Sequence, residues 1–441
     1  MTYDTPQIAV ARVGVGHLPS LVERKWARFL AAMILYFTQG VPIGLGLIAI
    51  PAWLAANGAT PIQVGAFVGT SFLPWSLKLV NGLIMDRFAF KPMGRRRGWI
   101  IVAQGLMALT LITLELIAPG PQDIALLTAC IFTLNVCATF NDVATDGMVV
   151  DIVPEEERPL LNSLMFASQG VGFATVGFLA GVLLADGSIR TAALIFGLFV
   201  ALASTFVALF RERPGERLLP WTKGEASREC LERQQEAIWP ILKGVASGTF
   251  KRLTLLFLVA VALAMGSGAF IDAVASTLAV QQLGWASEEY SSFASGVSLS
   301  FSFVAVAVAA PAVKVFGLRN ALIGVFGLHL TMGLLAAVTY PTWESDLWFM
   351  GIFCVQYLAH ILTLTLACVW FMKLSDPAVA ASQFALFNAA PTLVRSFYAG
   401  NSGFVIEWGG YQAVYYAIAG LAALGIVALL FSRVKNTHEA D

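Results

Sequence analysis

Apolar runs long enough to cross a membrane recur along the whole chain, and clumps of charged and polar residues separate them. A run of about 20 residues crosses a hydrocarbon core of roughly 30 Å as an α-helix. Stretches such as 255–265 and 413–431 are continuously or almost continuously apolar, unlike the alternating segments of a membrane β-barrel. Only 12% of the residues are charged, against about 25% in a soluble domain. The sequence therefore predicts an all-α integral membrane protein.

Polar breaks divide the apolar runs into twelve predicted spans, numbered here in chain order. They are 28–56, 61–85, 98–118, 122–150, 160–185, 190–210, 252–282, 288–313, 319–340, 345–373, 378–402 and 409–432. One long hydrophilic insertion, 211–251, separates the first six spans from the last six. We expect two six-helix bundles, 28–210 and 252–432, joined by a cytoplasmic linker at 211–251 that contains a short helix beside the membrane. The segments 1–27 and 433–441 are expected to be cytoplasmic.

The positive charges of the loops predict the orientation. If the N-terminus is cytoplasmic, nearly all of the 27 lysines and arginines fall in cytoplasmic segments, and Arg190 is the exception among the opposite loops. An even number of spans then places both termini in the cytoplasm. Residues 1–28 lack the apolar core of a cleavable signal peptide, so span 1 is expected to direct insertion. The five cysteines show no CxxC spacing and are interpreted as packing residues.

A glycine, acid and arginine pattern follows span 2. It comprises Gly82, Asp86, Arg87, Gly94, Arg95 and Arg96. This pattern resembles the signature between spans 2 and 3 of the major facilitator superfamily, here with a longer spacer. The resemblance implies the major facilitator fold, with two six-helix bundles that rock around a central cavity. It also implies that these residues set the balance between the inward-open and outward-open conformations, since Asp86 can bridge basic residues and helix ends in one of them.

Further motifs within 36–180 resemble the family of AmpG-type muropeptide permeases and acetyl-coenzyme A transporters. They are Gln39-Gly-Val-Pro-Ile-Gly-Leu45, Pro74-Trp-Ser-Leu-Lys78, Asn141-Asp-Val-Ala-Thr-Asp146-Gly147 and Asp151-Ile-Val-Pro154. Asn141 and Thr145 depart from the family's usual Gln and Val. The resemblance implies a proton symporter of the bacterial inner membrane that imports a polar anionic solute. A muropeptide is the first candidate, and an acyl-coenzyme A or a siderophore is the alternative. A transporter-like sensor that has lost transport is the remaining interpretation.

Five ionisable residues fall inside predicted spans, where charge is costly and usually functional. They are Lys78, Asp142, Asp146, Asp272 and Arg395. Lys78 and Asp142 each lie about eight residues, or roughly 12 Å, from the cytoplasmic end of their spans, so an ion pair between them is possible. Asp146 follows one turn later, while Asp272 and Arg395 lie toward the periplasmic side. We expect two charge clusters that couple protons and close the inner and outer gates, or that pair only to hold helices together.

Polar and aromatic side chains within the spans are candidates to contact the solute. They are Gln39, Trp75, Asn135, Gln169, Gln356, Tyr357, Asn388 and Arg395. His329 and His360 are interpreted as hydrogen-bonded packing residues.

The sequence carries no GxxxxGK[ST], HExxH or GxSxG motif, so we expect no ATP hydrolysis, enzyme activity, metal or cofactor. The expected partners are a small solute, a proton and the lipid bilayer, for a monomer that binds no nucleic acid.

Overall fold

The structure is a computed structural model that describes residues 20–186, 188–232, 243, 247–343, 345–375 and 380–432. Residues 1–19 of the predicted N-terminal segment 1–27, the predicted tail 433–441 and much of the predicted linker helix lie outside these ranges. Within them the chain is helical apart from its loops and one isolated bridge between Ser20 and Arg211. The prediction of an all-α membrane protein is confirmed.

The helices follow the predicted spans. Spans 1 to 6 are Lys25–Ala56, then Pro61–Phe72 with Lys78–Arg87, Arg97–Ile117, Ile124–Ile152, Arg158–Ala185 and Ile189–Ala208. A short helix, Arg228–Glu232, lies in the linker. Spans 7 to 10 are Arg252–Gln282, Ser287–Phe316, Leu318–Thr339 and Asp346–Leu374, and one helical run, Ala380–Phe431, contains spans 11 and 12. Among the described residues, 10 helical runs are long and apolar enough to cross a membrane. This number is smaller than twelve because span 2 is broken and is not counted, and because spans 11 and 12 are counted as one run.

Span 2 is interrupted because of its own sequence. It begins with a capping box, in which Thr60 N donates to Gln63 Oε1 at 2.8 Å and Gln63 N donates to Thr60 Oγ1 at 3.3 Å. Pro74 then removes a backbone donor, and the helix tightens into a 3₁₀ turn over Leu73–Leu77 before it resumes at Lys78. The predicted span 61–85 is thus built from two helices and a 3₁₀ turn, and the turn places Trp75 and Lys78 at the break.

Spans 11 and 12 meet at a kink rather than at a polar loop. The helix continues past the predicted end at 402 as far as Gly409 and Gly410, whose backbone is not helical. Gly410 has a φ of +68°, a backbone conformation that residues other than glycine rarely adopt. The predicted boundary was placed too early because the residues from 403 onward are compatible with helix.

The apolar side chains form three clusters that reveal how the two halves meet. The largest contains residues of both halves, for example Leu45, Phe67, Leu184, Ala273, Tyr290 and Tyr411. The second belongs to the first half alone, for example Leu35, Met85, Met148, Leu161 and Phe210. The third belongs to the second half alone, for example Phe257, Phe326, Leu366, Trp370 and Phe387. The halves thus share one core at one end of the molecule and have separate cores at the end where span 1 begins.

We call the end where span 1 begins the basic end, because Arg28, Arg95, Arg96 and Arg213 lie there. Since apolar packing joins the halves only away from the basic end, the space between them opens toward the basic end. The start of the linker packs against the basic end and is hydrogen-bonded to it. Leu21 N donates to Arg211 O at 2.8 Å, and Arg217 N donates to Pro92 O at 2.7 Å.

Candidate functional site

Lys78 and Asp142 form an ion pair between spans 2 and 4. Lys78 Nζ lies 2.7 Å from Asp142 Oδ2, as their matching depths suggested. The Asp142 side chain is only 4% exposed, whereas that of Lys78 is 26% exposed. The carboxylate is thus buried in the first half, whereas part of the Lys78 side chain is exposed.

Trp75 and Asn135 support this pair. Lys78 Nζ lies 4.7 Å from the centre of the Trp75 ring, a cation–π contact. Trp75 Nε1 donates to Asn135 Oδ1 at 2.6 Å, and Asn135 Nδ2 donates to Ile131 O at 3.0 Å. Asn135 is fully buried with both amide groups engaged. In this conformation Asn135 fixes the indole beside Lys78, and its role as a solute contact stays a prediction.

Asp146 has a different partner, which the sequence did not indicate. The hydroxyl of Tyr36 in span 1 donates a hydrogen bond to Asp146 Oδ1. Tyr36 is buried and packs edge-on against Phe166, while Asp146 is exposed. The two neighbouring acids of span 4 are therefore held differently, Asp142 by a cation and Asp146 by a neutral donor.

Arg395 and Asp272 form a second ion pair, between spans 11 and 7, through Arg395 Nη2 and Asp272 Oδ2. Each side chain is 12% exposed. The guanidinium carbon of Arg395 also lies 5.7 Å from the centre of the Phe72 ring, which belongs to span 2 in the other half. This second pair therefore touches both halves, close to where they pack together.

The remaining candidate contacts fall into separate places. Gln169 Nε2 donates to Gln39 Oε1 at 2.6 Å, which joins spans 5 and 1. Gln356 is buried and its Oε1 lies 2.5 Å from His329 Nδ1, so this amide is engaged within the second half. The structure thus gives His329 the hydrogen bond that its interpretation as a packing residue requires.

Two further candidates lie in the second half. Tyr357 stacks on Phe353 with ring centres 6.0 Å apart. Asn388 Oδ1 accepts a bond from Cys368 Sγ at 3.6 Å. This bond joins spans 10 and 11 within the second half.

The motif after span 2 forms a compact cluster at the basic end. Asp86 Oδ1 accepts bonds from Arg95 Nη2 at 2.8 Å and Arg96 Nη2 at 2.6 Å. Gly94 has a φ of +95°, and Gly82 faces Val143 of span 4. Arg87 is exposed and points away from the cluster's buried part.

Glu212 in the linker completes that cluster and was not predicted. Its side chain is fully buried, and its Oε2 accepts bonds from Arg96 N at 3.3 Å and Arg97 N at 3.2 Å. Burial raises the pKa of this carboxyl, and the neighbouring Glu216 acts in the same direction. A carboxylate at the start of span 3 is stabilised by the positive end of the helix dipole. The residues around Glu212 in the sequence give no sign of this role.

A second contact at the basic end links span 1 to the loop before span 5. Arg28 Nη2 lies 2.6 Å from Glu157 Oε2, and Lys25 Nζ lies 3.4 Å from Glu157 Oε1. The hydrogen bond from Arg28 holds the pKa of Glu157 below its ordinary value.

In the part of the chain that the structure describes, no group of three or more His, Cys, Asp or Glu could hold a metal ion.

Comparison with known proteins agrees with this geometry. A model described as the Major Facilitator Superfamily matches residues 29–399. The anhydromuropeptide permease of Escherichia coli (strain K12) is 22% identical over 405 residues, which are 91% of this chain and 79% of that protein. The solved nucleoside transporter NupG has a TM-score of 0.65 at 14% identity, covering 92% of this chain and 98% of that one. The D-xylose-proton symporter has a TM-score of 0.67 at 13% identity, covering 92% and 97%. These two structures share the fold.

Proposed function

Because this chain belongs to the major facilitator superfamily, we propose that it imports a polar anionic solute together with protons, and that the solute is a muropeptide. The family and fold make the protein a multi-pass membrane transporter built for alternating access. Our proposal adds the coupling ion, the direction and the solute. It also places the protein in a bacterial inner membrane as a monomer, with the basic end and both termini in the cytoplasm, since positively charged loops remain on that side.

The pair between Lys78 and Asp142 carries the proposal. A lysine and an aspartate within the spans are costly unless paired, and a pair that only holds helices together does not require a partly exposed lysine side chain. Lys78 can therefore exchange its partner between Asp142 and an anionic group of the solute. The indole of Trp75 beside it offers an apolar face for a sugar ring.

Asp146 is the acid that we propose to take up the proton. Asp142 has a cation as its partner, so its negative charge is already compensated. Asp146 is bonded to the neutral hydroxyl of Tyr36 and is exposed to the space that opens at the basic end. A proton on Asp146 would offset the charge of an arriving anion, which is the link that a symporter requires.

The motif after span 2 is the proposed control of the conformational balance. Its members are Gly82, Asp86, Arg87, Gly94, Arg95 and Arg96. Asp86 ties the loop to the end of span 2 through Arg95 and Arg96 in the conformation described. We expect Asp86→Asn to change the ratio of the two conformations while the ion pairs inside the spans persist.

The choice of a muropeptide rests on the likeness to the anhydromuropeptide permease, which is 22% identical over most of the chain. The proposed solute contacts are Gln169, Trp75, Tyr357, Asn388, Lys78 and Arg395, with Gln39, Asn135 and Gln356 as their supports. An acyl-coenzyme A or a siderophore would also present anionic groups to Lys78, so both belong in the experimental panel.

Uptake into proteoliposomes tests the proposal. Purified protein is reconstituted, a pH gradient is imposed, and accumulation of muropeptides, acyl-coenzyme A and ferric siderophores is measured. We expect gradient-dependent accumulation of a muropeptide. Accumulation that ignores the gradient would reject proton coupling, and uptake of another member of the panel alone would reject the solute. A protein that accumulates none of them would match the transport-inactive sensor.

Variants of the ion pair provide the second arm. Lys78→Ala and Asp142→Asn should each abolish uptake at normal membrane levels. Arg190→Gln is the matched control, because its partner Glu115 lies 3.7 Å away and the Arg190 side chain is 58% exposed. Full uptake in either pair variant would reject the role assigned to the pair.

A further inference from the structure

We propose that His360 in span 10 is a second proton-carrying residue, which compensates the charge of Asp272 when Arg395 turns from that aspartate toward an anionic group of the solute. The inference rests on the proposed import of an anion together with protons, and it adds a site in the second half to the one at Asp146. It gives His360 a role beyond the packing that its position within a span suggested.

The imidazole of His360 lies against span 7, one helical turn from Asp272. A Cβ added at Gly268 would clash with Nδ1 of His360, and it would lie 2.8 Å from Cγ of the same ring. The ring thus occupies the place that the missing side chain of Gly268 leaves open. Gly268 and Asp272 are four residues apart on one continuous helix, so they share a face, with Cβ positions about 5 to 6 Å apart. His360 also interacts electrostatically with Asp272 and with its partner Arg395.

The Nδ1 atom of His360 is a buried polar atom without a hydrogen bond. The residue is 5% exposed, and among the described residues no group forms a hydrogen bond with Nδ1. His329 differs, because its Nδ1 is bonded to Gln356. Burial of an unpaired ring nitrogen costs free energy. A nitrogen that binds a proton for part of the transport cycle, however, must stay unpaired for the rest of it.

The charged and titratable groups around His360 come from four neighbouring helices. Span 7 contributes Asp272 and span 11 contributes Arg395. Span 9 contributes His329, which interacts electrostatically with His360. Span 8 contributes Tyr290, a buried side chain that interacts with Asp272. A positive charge on the imidazole is favoured by Asp272 and opposed by Arg395, so the state of their ion pair decides whether His360 is charged.

Arg395 is the member of the pair that contacts the other half of the protein. Its guanidinium carbon lies 5.7 Å from the centre of the Phe72 ring in span 2, so rocking of the two halves alters its surroundings. The packing of His360 against span 7 lies within the second half. If Arg395 engages an anion, Asp272 is left with an uncompensated negative charge, and a proton bound to Nδ1 of His360 restores the balance. One proton is then taken up for each anionic group that Arg395 binds.

The first half has a similar arrangement. Asp142, the aspartate of the first ion pair, is followed one helical turn later by Asp146 in span 4. Asp272, the aspartate of the second pair, has His360 packed one turn away. Each ion pair therefore has one titratable neighbour that can carry a proton, an acid in the first half and an imidazole in the second.

Nuclear magnetic resonance of the full-length protein in detergent tests the inference without any need for transport. The chain has four histidines, and with ¹⁵N-labelled histidine the spectrum of His360→Gln protein identifies the ring signals of His360. At a pH of about 6 we expect His360 to be neutral in the unaltered protein. In Arg395→Gln protein the charged fraction of His360 should rise from under about a tenth to over about half. A neutral His360 in Arg395→Gln protein would overturn the inference.

Three controls isolate the cause of that change. Arg395→Lys keeps a cation beside the aspartate and should leave His360 neutral. Combining Arg395→Gln with Asp272→Asn removes the uncompensated charge and should return His360 to the neutral form. His329, held by Gln356, is an internal reference and should keep its signal. A charged His360 in the double variant would contradict the role of Asp272.

Uptake into proteoliposomes gives a second test that needs no change at Arg395. With an imposed gradient of about one pH unit, loss of one coupled proton lowers the highest accumulation of muropeptide about tenfold. We expect this loss in His360→Gln protein and none in Arg190→Gln protein, the matched control. Full accumulation by His360→Gln protein would overturn the inference and leave the proposed function intact. The expected resonances without any uptake by the unaltered protein would reject the proposed function and retain the link between His360 and Asp272.

Discussion

Gly69 is the position where one added methyl group should change which conformation the protein prefers. In span 2 it touches the backbone of span 11, and a Cβ there would lie 2.5 Å from both Gly400 N and Ser396 O. Ordinary contact begins at 3.4 Å, so the two helices must separate by about 1 Å. Backbone atoms cannot rotate away as a side chain could. Overpacking of this kind costs about 1 to 3 kcal/mol.

That cost applies only where spans 2 and 11 are in contact, which is the conformation that opens at the basic end. Gly69→Ala should therefore shift the population toward the opposite conformation by a factor of about 5 to 150. Spin labels at Gln122, in the loop after span 3, and at Glu289, in the first turn of span 8, report this by double electron–electron resonance, since both residues lie at the end away from the basic end. We expect a longer distance to gain population.

Gly105→Ala is the matched control for the Gly69 experiment. Gly105 is in span 3 with no heavy atom within 4 Å of an added Cβ, so this variant isolates the gain in helix propensity, up to about 1 kcal/mol. If the two variants give the same distance distribution, the close contact does not determine the conformational balance and the reasoning is refuted.

Three other expectations concern the basic end and the space that it opens. Gly94→Ala should lower Tm, because its φ is +95° and an added Cβ would clash with Glu212 Oε2. A Tm equal to that of the unaltered protein would contradict this expectation. Because the pKa of Glu157 is lowered in the folded protein, its bond with Arg28 stabilises the fold fully above the unfolded pKa, near 4.5. This stabilisation is lost as the pH falls through the folded pKa. Thermal unfolding should therefore show less acid sensitivity in Glu157→Gln than in the unaltered protein. In a chain whose other cysteines are replaced by serine, Cys368 should react with a small maleimide added from the basic side, and protection from both sides would argue against the opening.

The sequence determined the architecture of this protein. Apolar runs with the length of a bilayer must become helices, since no water is available to satisfy an exposed backbone, and the distribution of Lys and Arg predicts which of their ends are cytoplasmic. Intramembrane charges need partners, and the matching depths of Lys78 and Asp142 made possible the ion pair that the structure shows. Pro74 and Gly410 can be read directly from the sequence, but whether a helix breaks at these residues depends on the neighbouring helices.

Tertiary structure decided what local pattern could not express. Tyr36 and Glu212 became part of the site because distant segments brought a hydroxyl to Asp146 and a carboxylate to the start of span 3. The partners of Asn135, Trp75 Nε1 and Ile131 O, were likewise visible only in the folded structure. Arg395 reached Phe72 only because the two halves pack together at one end. Helix formation and membrane insertion depend on residues close in sequence, whereas a binding site depends on which helix faces meet.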